Sequence, residues 1–346
     1  MALLAVFEND VSVSVRNGAV VLLRRGEVIQ TVAAHEIDEV HLHGGADLTQ
    51  AGRNFLLGRG VEVVFLTLDG RVRGRLVGDE SAWAARRVAQ YRLVIDAPRR
   101  LEVARAMVKG KLENQITQLT VRQRTVRSDE VASAILVLRA QREPAKGARD
   151  LDALRGVEGN CANVYFGTFG HLLGNTVFAW NGRNRRPPRD PVNAALSFAY
   201  TMLCSRVEHA VRRAGLDPYL GLLHETIRGA PALALDLVEE FRPMVDNLVL
   251  SLFNRKQLGP EDFGPPDPDA LAAAFPDEET ADGAVYLTAL GRKILTRAWA
   301  VRCNERSPHP LTGNDWTTGA LFLEQAQQLR RVIEGEAEAY VPARIT

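Results

Sequence analysis

Near Ser81 the pattern of this 346-residue chain changes from short apolar runs between tight turns to apolar residues recurring every third or fourth position. A switch from a period of two to one near 3.6 separates strands from helices, and it limits the fold more than any other feature here. Before the switch, Leu3 to Phe7 is an apolar run, and Val11, Val13 and Val15 alternate with Ser12, Ser14 and Arg16. Asn17-Gly18 is a two-residue hairpin turn, after which Val20 to Leu23 returns. Gly26 precedes Val28 to Val32. Ile37 to Leu42 ends at Gly44-Gly45, and Val61 to Leu66 and Val72 to Val77 flank Asp69-Gly70. Only Thr49 to Gly58 reads as a helix in this part.

After the switch, helices are predicted over Leu101 to Arg127, Val131 to Gln141, Asp150 to about Phe178, Asp190 to about Ala214, and Pro231 to about Phe253. Two more are predicted near Thr288 to Val301 and Trp316 to Glu334. Asp190-Pro191 is a strong helix start, with an acceptor at the cap and proline at the first helical position. Pro144 to Gly147 reads as a break, Pro243 as a kink, and Gly259 to Pro276 as a loop rich in Pro, Asp and Gly. The expected fold class is α+β: a small N-terminal β-sandwich-like domain (1–82), a junction (83–100) and a larger all-α domain (101–346).

Hydrophobic residues make up 46% and charged residues 25%, enough apolar material for a packed core and too little charge excess for disorder. The net charge of +1 leaves nucleic-acid binding open, since a local basic face can be balanced by acidic helices. Cys161, Cys204 and Cys303 are far apart and form no CxxC, which argues against a disulfide framework or a thiolate zinc site. The first ten residues lack the basic and long apolar regions of a signal peptide, and no run is long enough to span a membrane. The expected location is the cytoplasm.

Three segments carry candidate chemistry. Glu158 stands in Gly156-Val157-Glu158-Gly159-Asn160-Cys161-Ala162-Asn163-Val164-Tyr165-Phe166, where alone it would simply complement a helix dipole. His224 ends Gly221-Leu222-Leu223-His224, where alone it would be a core or turn residue. Asp236 and Glu239 share one helix face opposite an apolar stripe of Leu237, Val238, Phe241, Val245 and Leu248. An acidic pair of that kind usually marks a solvated face. Together they are more telling: if the segments meet, a hard cation relieves the repulsion among the acids. Carboxylate oxygens with one imidazole suit Mg²⁺ or Mn²⁺.

These segments resemble, in order, the three motifs of the CRISPR-associated integrase, the larger of the two proteins shared by spacer-acquisition systems. The first is Gly156 to Phe166, the second Leu216 to His224, and the third Leu235 to Pro243 with Asp246. Asn184 to Ala194 fits the connector before the family's central helix. The resemblance covers nearly the whole chain, including the β-rich start, and subtype I-C is suspected. It implies that Glu158, His224 and Glu239 hold the metal and carry catalysis. Many members have aspartate where this chain has Glu239. Asp236 would be a near neighbour of the metal or reach it through water. Glu225, just after the histidine, departs from the family pattern and either tunes the site or faces solvent.

The implied activity is metal-dependent DNA endonuclease and integrase chemistry: a protospacer 3′-hydroxyl attacks a phosphodiester at a CRISPR repeat. The implied partners are double-stranded DNA, a second copy of the chain joined through the β domain, and the smaller acquisition protein, with no membrane involved. Two rivals remain, a stand-alone structure-specific repair nuclease and a non-catalytic helical DNA-binding scaffold. Candidate DNA contacts are Arg86, Arg87, Tyr165, Arg183, Arg185, Arg186, Arg189 and Arg242, with Arg92, Lys109 and Lys111 as further basic groups. Each could equally be a surface charge, and Tyr165 a core residue. His41 and His43 alternate on a strand and read as structural, as do Trp180 and Trp316.

Overall fold

The computed structural model describes residues 3–67, 70, 72–174, 177–184, 187–227, 229–265 and 283–345. Two compact units emerge, residues 1–80 with 261–293, and residues 81–260 with 294–346. The junction expected over 83–100 is helical, with α2 at Ala84–Ile95 and α3 beginning at Ala97. Residues 261–293 belong with the first unit, a return that no local pattern in that stretch announces.

The first unit holds two four-stranded sheets. One contains β1 (Leu3–Val6), β5 (Glu39–His43), β7 (Glu62–Leu66) and β8 (Val72–Leu76), paired in that order. The other orders β4 (Glu27–Val32), β3 (Ala19–Arg24), β2 (Val11–Arg16) and β6 (Asp47–Leu48). Both central residues of the Asn17-Gly18 turn have positive φ, 50° and 76°, and Arg16 pairs directly with Ala19. That conformation matches the right-handed twist of a tight hairpin, and Asn-Gly tolerates it best. Val6, Val40, Leu42 and Val63 of one sheet share a core with Val11, Val13, Val20 and Leu22 of the other, closed by Leu56 of α1 (Gln50–Gly58). His41 and His43 are buried: His41 bonds Glu39 at 2.9 Å, and burial pushes the His43 imidazole down to about 3.

The second unit is helical. Asp96 caps α3 (Ala97–Val126), and Asp190 caps α8 (Pro191–Arg213) with Pro191 in its first turn. Between them lie α4 (Asp129–Ala140), α5 (Arg142–Gly147), α6 (Leu151–Gly167) and the one-turn α7 (Phe169–Leu172). Where a break was expected, α5 forms with Pro144 in its first turn, where proline is tolerated. The helix expected to reach Phe178 ends at Gly167 instead, in a stretch loosened by Gly167, Gly170 and Gly174. After α9 (Ala232–Asn254) come α10 (Ala289–Asn304), in which the division between units falls, and α11 (Thr318–Ile333). No described helix is long and apolar enough to cross a membrane.

Helix α9 packs between α3 and α8. It continues through Pro243 as one helix, although proline supplies no N–H to the carbonyl of Glu239. Behind it, residues 340–345 form a strap. The Asn114 amide donates to the carbonyls of Glu240 (2.8 Å) and Ala343 (2.9 Å), and its oxygen accepts from Ile345 N–H. The Glu240 carboxyl accepts from Tyr340 O–H, Ala343 N–H and Gln325. Burial still pushes it up to about 7 against those three donors. Gly110 lets the strap lie down, because a Cβ there would collide with the Pro342 ring. Gly110→Ala should therefore destabilise the protein by about 1–2 kcal/mol in urea unfolding. On an open helix face the same change would gain about 1 kcal/mol.

Candidate metal centre

The centre is built on four elements of the second unit. Asp236, in the second turn of α9, is wholly buried and organises the loop in front of it. One of its oxygens accepts from the N–H groups of Leu222 (2.5 Å) and Leu223 (3.0 Å). The other accepts from His224 N–H at 2.8 Å and faces the ring Nδ1 at 2.7 Å. Gln90 pins the same loop at Asp217, Arg100 donates to the Leu222 carbonyl, and Arg155 donates to that of Leu223. His224 thus stands on a loop held from several sides.

One turn along α9, Glu239 points the same way. Its Oε1 accepts from Arg242 at 2.8 Å and lies 4.0 Å from His224 Nε2. Its Oε2 is 2.5 Å from the ammonium of Lys111 on α3. That ammonium also donates to Glu158 on α6. Burial alone would raise the Glu239 carboxyl, but Arg242, Lys111 and His224 outweigh it and hold it near 2. Burial alone would likewise lower the His224 imidazole, yet the hydrogen bond and charge of Asp236, with Glu239 behind, raise it. Arg242 spreads over the Tyr200 ring at 4.8 Å, and Tyr200 O–H donates to Asp246, whose carboxyl burial pushes up to about 6.

The donor set fits a hard divalent cation. Two carboxylates already share a positive charge, the Lys111 ammonium, and the imidazole presents Nε2 towards one of them. Histidines that bind metals are typically fixed through their other nitrogen by a carboxylate or carbonyl, as Asp236 fixes this one. Asp236 itself is committed to three backbone N–H groups and a ring nitrogen.

The basic residues expected to meet DNA divide into distinct groups. Lys111 is buried between carboxylates, and its side chain is only 7% exposed. Arg86 pairs with Glu334 and donates to the Ala214 carbonyl. Arg183 donates to Asn193 and lies over Tyr200. Arg242 is held by Glu239. Tyr165 is fully buried against Phe166 and Phe169, so neither ring face is open to a base. Arg87 is half-buried and Arg189 exposed, while Arg185 and Arg186 lie outside the described residues. Glu225 is mostly exposed and pairs with Arg155. Trp180 packs on Phe166 and Phe169.

Lys111, Gln90, Arg100 and Arg155 were missed as site residues. Lys111 alone left a trace, a charge in register with the buried Ala104, Val108 and Gln115 of α3. The loop anchors left none, because their partners are carbonyls more than sixty residues away.

Fold and centre together define a class: an α+β protein with a carboxylate–imidazole centre in its helical unit. A family model described as CRISPR associated protein Cas1 matches residues 4–300. The "CRISPR-associated endonuclease Cas1 2" of Rhodospirillum rubrum is 36% identical over 322 residues, 90% of this chain and 89% of its own length. The "CRISPR-associated endonuclease Cas1 3" of Thermus thermophilus is 35% identical over 340 residues, 97% of this chain and 95% of its own. The chain belongs to the Cas1 family. A Cas1 protein from Thermotoga maritima superposes with a TM-score of 0.79 at 20% identity, covering 100% of both chains, which establishes the shared fold.

Proposed function

We propose that this chain is a metal-dependent DNA endonuclease and integrase that inserts protospacer DNA into a CRISPR array. Glu158, His224 and Glu239 would hold Mg²⁺ or Mn²⁺. The observation that carries the reading is that Glu158 and Glu239 share one buried ammonium while His224 Nε2 stands 4.0 Å from Glu239. Relatives bearing the name endonuclease support it. So does a structural neighbour described as a casposase bound to integration product, with a TM-score of 0.81 at 20% identity over 100% of this chain and 95% of that one.

A divalent ion at such a centre polarises a phosphodiester and stabilises the departing oxygen. The protein's own groups prepare for this. Asp236 fixes the imidazole so that Nε2 faces Glu239, and Arg242 orients Glu239 from the side away from Lys111. Because Glu239 is buried and paired on both oxygens, little reorganisation of it is left for the moment of reaction. With a protospacer 3′-hydroxyl as nucleophile the outcome is strand transfer, and with water it is cleavage.

The proposed partners are double-stranded DNA, a second copy of the chain through the β domain of residues 1–82, and the smaller acquisition protein. A structural neighbour is described as a Cas6-RT-Cas1–Cas2 complex. Catalysis is assigned to residues 101–346 and DNA contact to Arg87, Arg185, Arg186 and Arg189, in the cytoplasm.

The test is half-site integration of a short duplex into a repeat-bearing plasmid, with the smaller partner present. His224→Ala should lower strand transfer by about 10²–10³-fold, the range seen for loss of one transition-state contact. The His224 side chain is 38% exposed, so folding should be kept, and DNA affinity should stay within a few-fold. A variant that integrates at the normal rate would refute the centre.

A further inference from the structure

We infer that Lys111 is the resident cation of the metal-free centre and is exchanged for the divalent ion on loading. This rests on the metal reading above and adds a residue from a fourth element. Lys111 lies on α3, outside the three segments that supply the expected ligands, yet its ammonium contacts both Glu158 and Glu239. It is buried, so a surface or DNA-contacting role is closed to it. Without it, the buried Glu239 and the partly exposed Glu158 would face each other with no ammonium between them and Arg242 and His224 left to answer Glu239, an arrangement that costs free energy.

The two cations on Glu239 are not equivalent. Arg242 holds Oε1 through a planar fork braced on the Tyr200 ring, whereas Lys111 holds Oε2 and the facing Glu158 at the end of a flexible four-carbon stem. Glu158 and Glu239 would hold a divalent ion through the same carboxylates that Lys111 contacts. An ammonium and a dication cannot share that space, so the movable stem yields and the braced guanidinium stays. Ion binding is then an exchange of one cation for another, which weakens apparent metal affinity and keeps the metal-free acids in place.

The test is Mn²⁺ titration of the full chain, read as the loss of the free-ion EPR signal, with thermal melting of the metal-free and loaded protein. Wild type should bind Mn²⁺, and Glu158→Gln should weaken that binding. Lys111→Met removes the charge at similar length. It should bind Mn²⁺ roughly tenfold tighter or more, melt lower without metal, and gain more on loading than wild type. Lys111→Arg keeps the charge in a fork that grips both carboxylates and should bind several-fold more weakly, giving a reading even if Lys111→Met fails to fold. Affinity unchanged in either folded variant, or weaker in Lys111→Met, overturns the exchange and leaves the metal reading standing. If wild type and Glu158→Gln show the same Mn²⁺ binding, the metal reading itself fails and the exchange fails with it.

Discussion

Asp236→Ala should abolish integration and cleavage and also lower stability by about 3–5 kcal/mol, the range for stripping a buried polar cluster of its central partner. The carboxylate is the common acceptor for Leu222, Leu223 and His224 N–H and for the imidazole. Removing it strands three backbone donors in a dry interior and frees the ring to turn. Loss of such a support beneath a metal ligand typically costs 10–100-fold in affinity or activity, and here the loop collapses as well. Asp236→Asn is the informative companion. It keeps volume but directs an amide NH₂ at groups that are already donors, so it should be nearly as inactive. Urea unfolding and strand-transfer rates measure the two effects separately. Wild-type stability in Asp236→Ala would show that the loop is held by Gln90, Arg100 and Arg155 alone.

Glu239→Ala should produce the second large effect, no detectable strand transfer and a loss of about 3–5 kcal/mol, typical when one member of a buried ionic cluster is deleted. Lys111 would keep only Glu158, and Arg242 would lose its carboxylate while still lying over Tyr200. Glu239→Gln should recover part of the stability and none of the activity, because it restores shape without negative charge. Denaturant midpoints with an integration assay on both variants check this. Equal stability of the Ala and Gln forms would show that packing, not charge, holds the site.

Much of the fold was legible. Asn17-Gly18 and the valine alternation give a hairpin because their chemistry permits only that turn, and Asp190-Pro191 starts a helix where a cap and a fixed φ coincide. Local signals do not report returns: residues 261–293 join the first unit, where Lys293 pairs with Glu8, 285 positions away. At the centre, the resemblance pointed to Glu158, His224 and Glu239, whose residue types carry recognisable chemistry. What escaped was how they are held. Asp236 reads as one half of an acidic pair on a wet face, and only tertiary structure shows it wholly buried under a loop. The basic residues have protein partners that their sequence did not announce. Arg86, Arg183 and Arg242 carry charge suited to phosphate, but carboxylates, carbonyls and an aromatic ring engage them first.

The strap formed by residues 340–345 sets a timetable for assembly. Asn114 and Ala343 are 229 positions apart, so their bond closes only after a very long stretch of chain has been drawn together. Contacts of that range form slowly. On the ribosome, Glu240 has no Tyr340 or Ala343 to meet until those residues emerge, and its neighbour Glu239 waits on the same helix. A nascent chain stalled before that point would carry Glu239 on a helix without the backing that the strap supplies through Glu240.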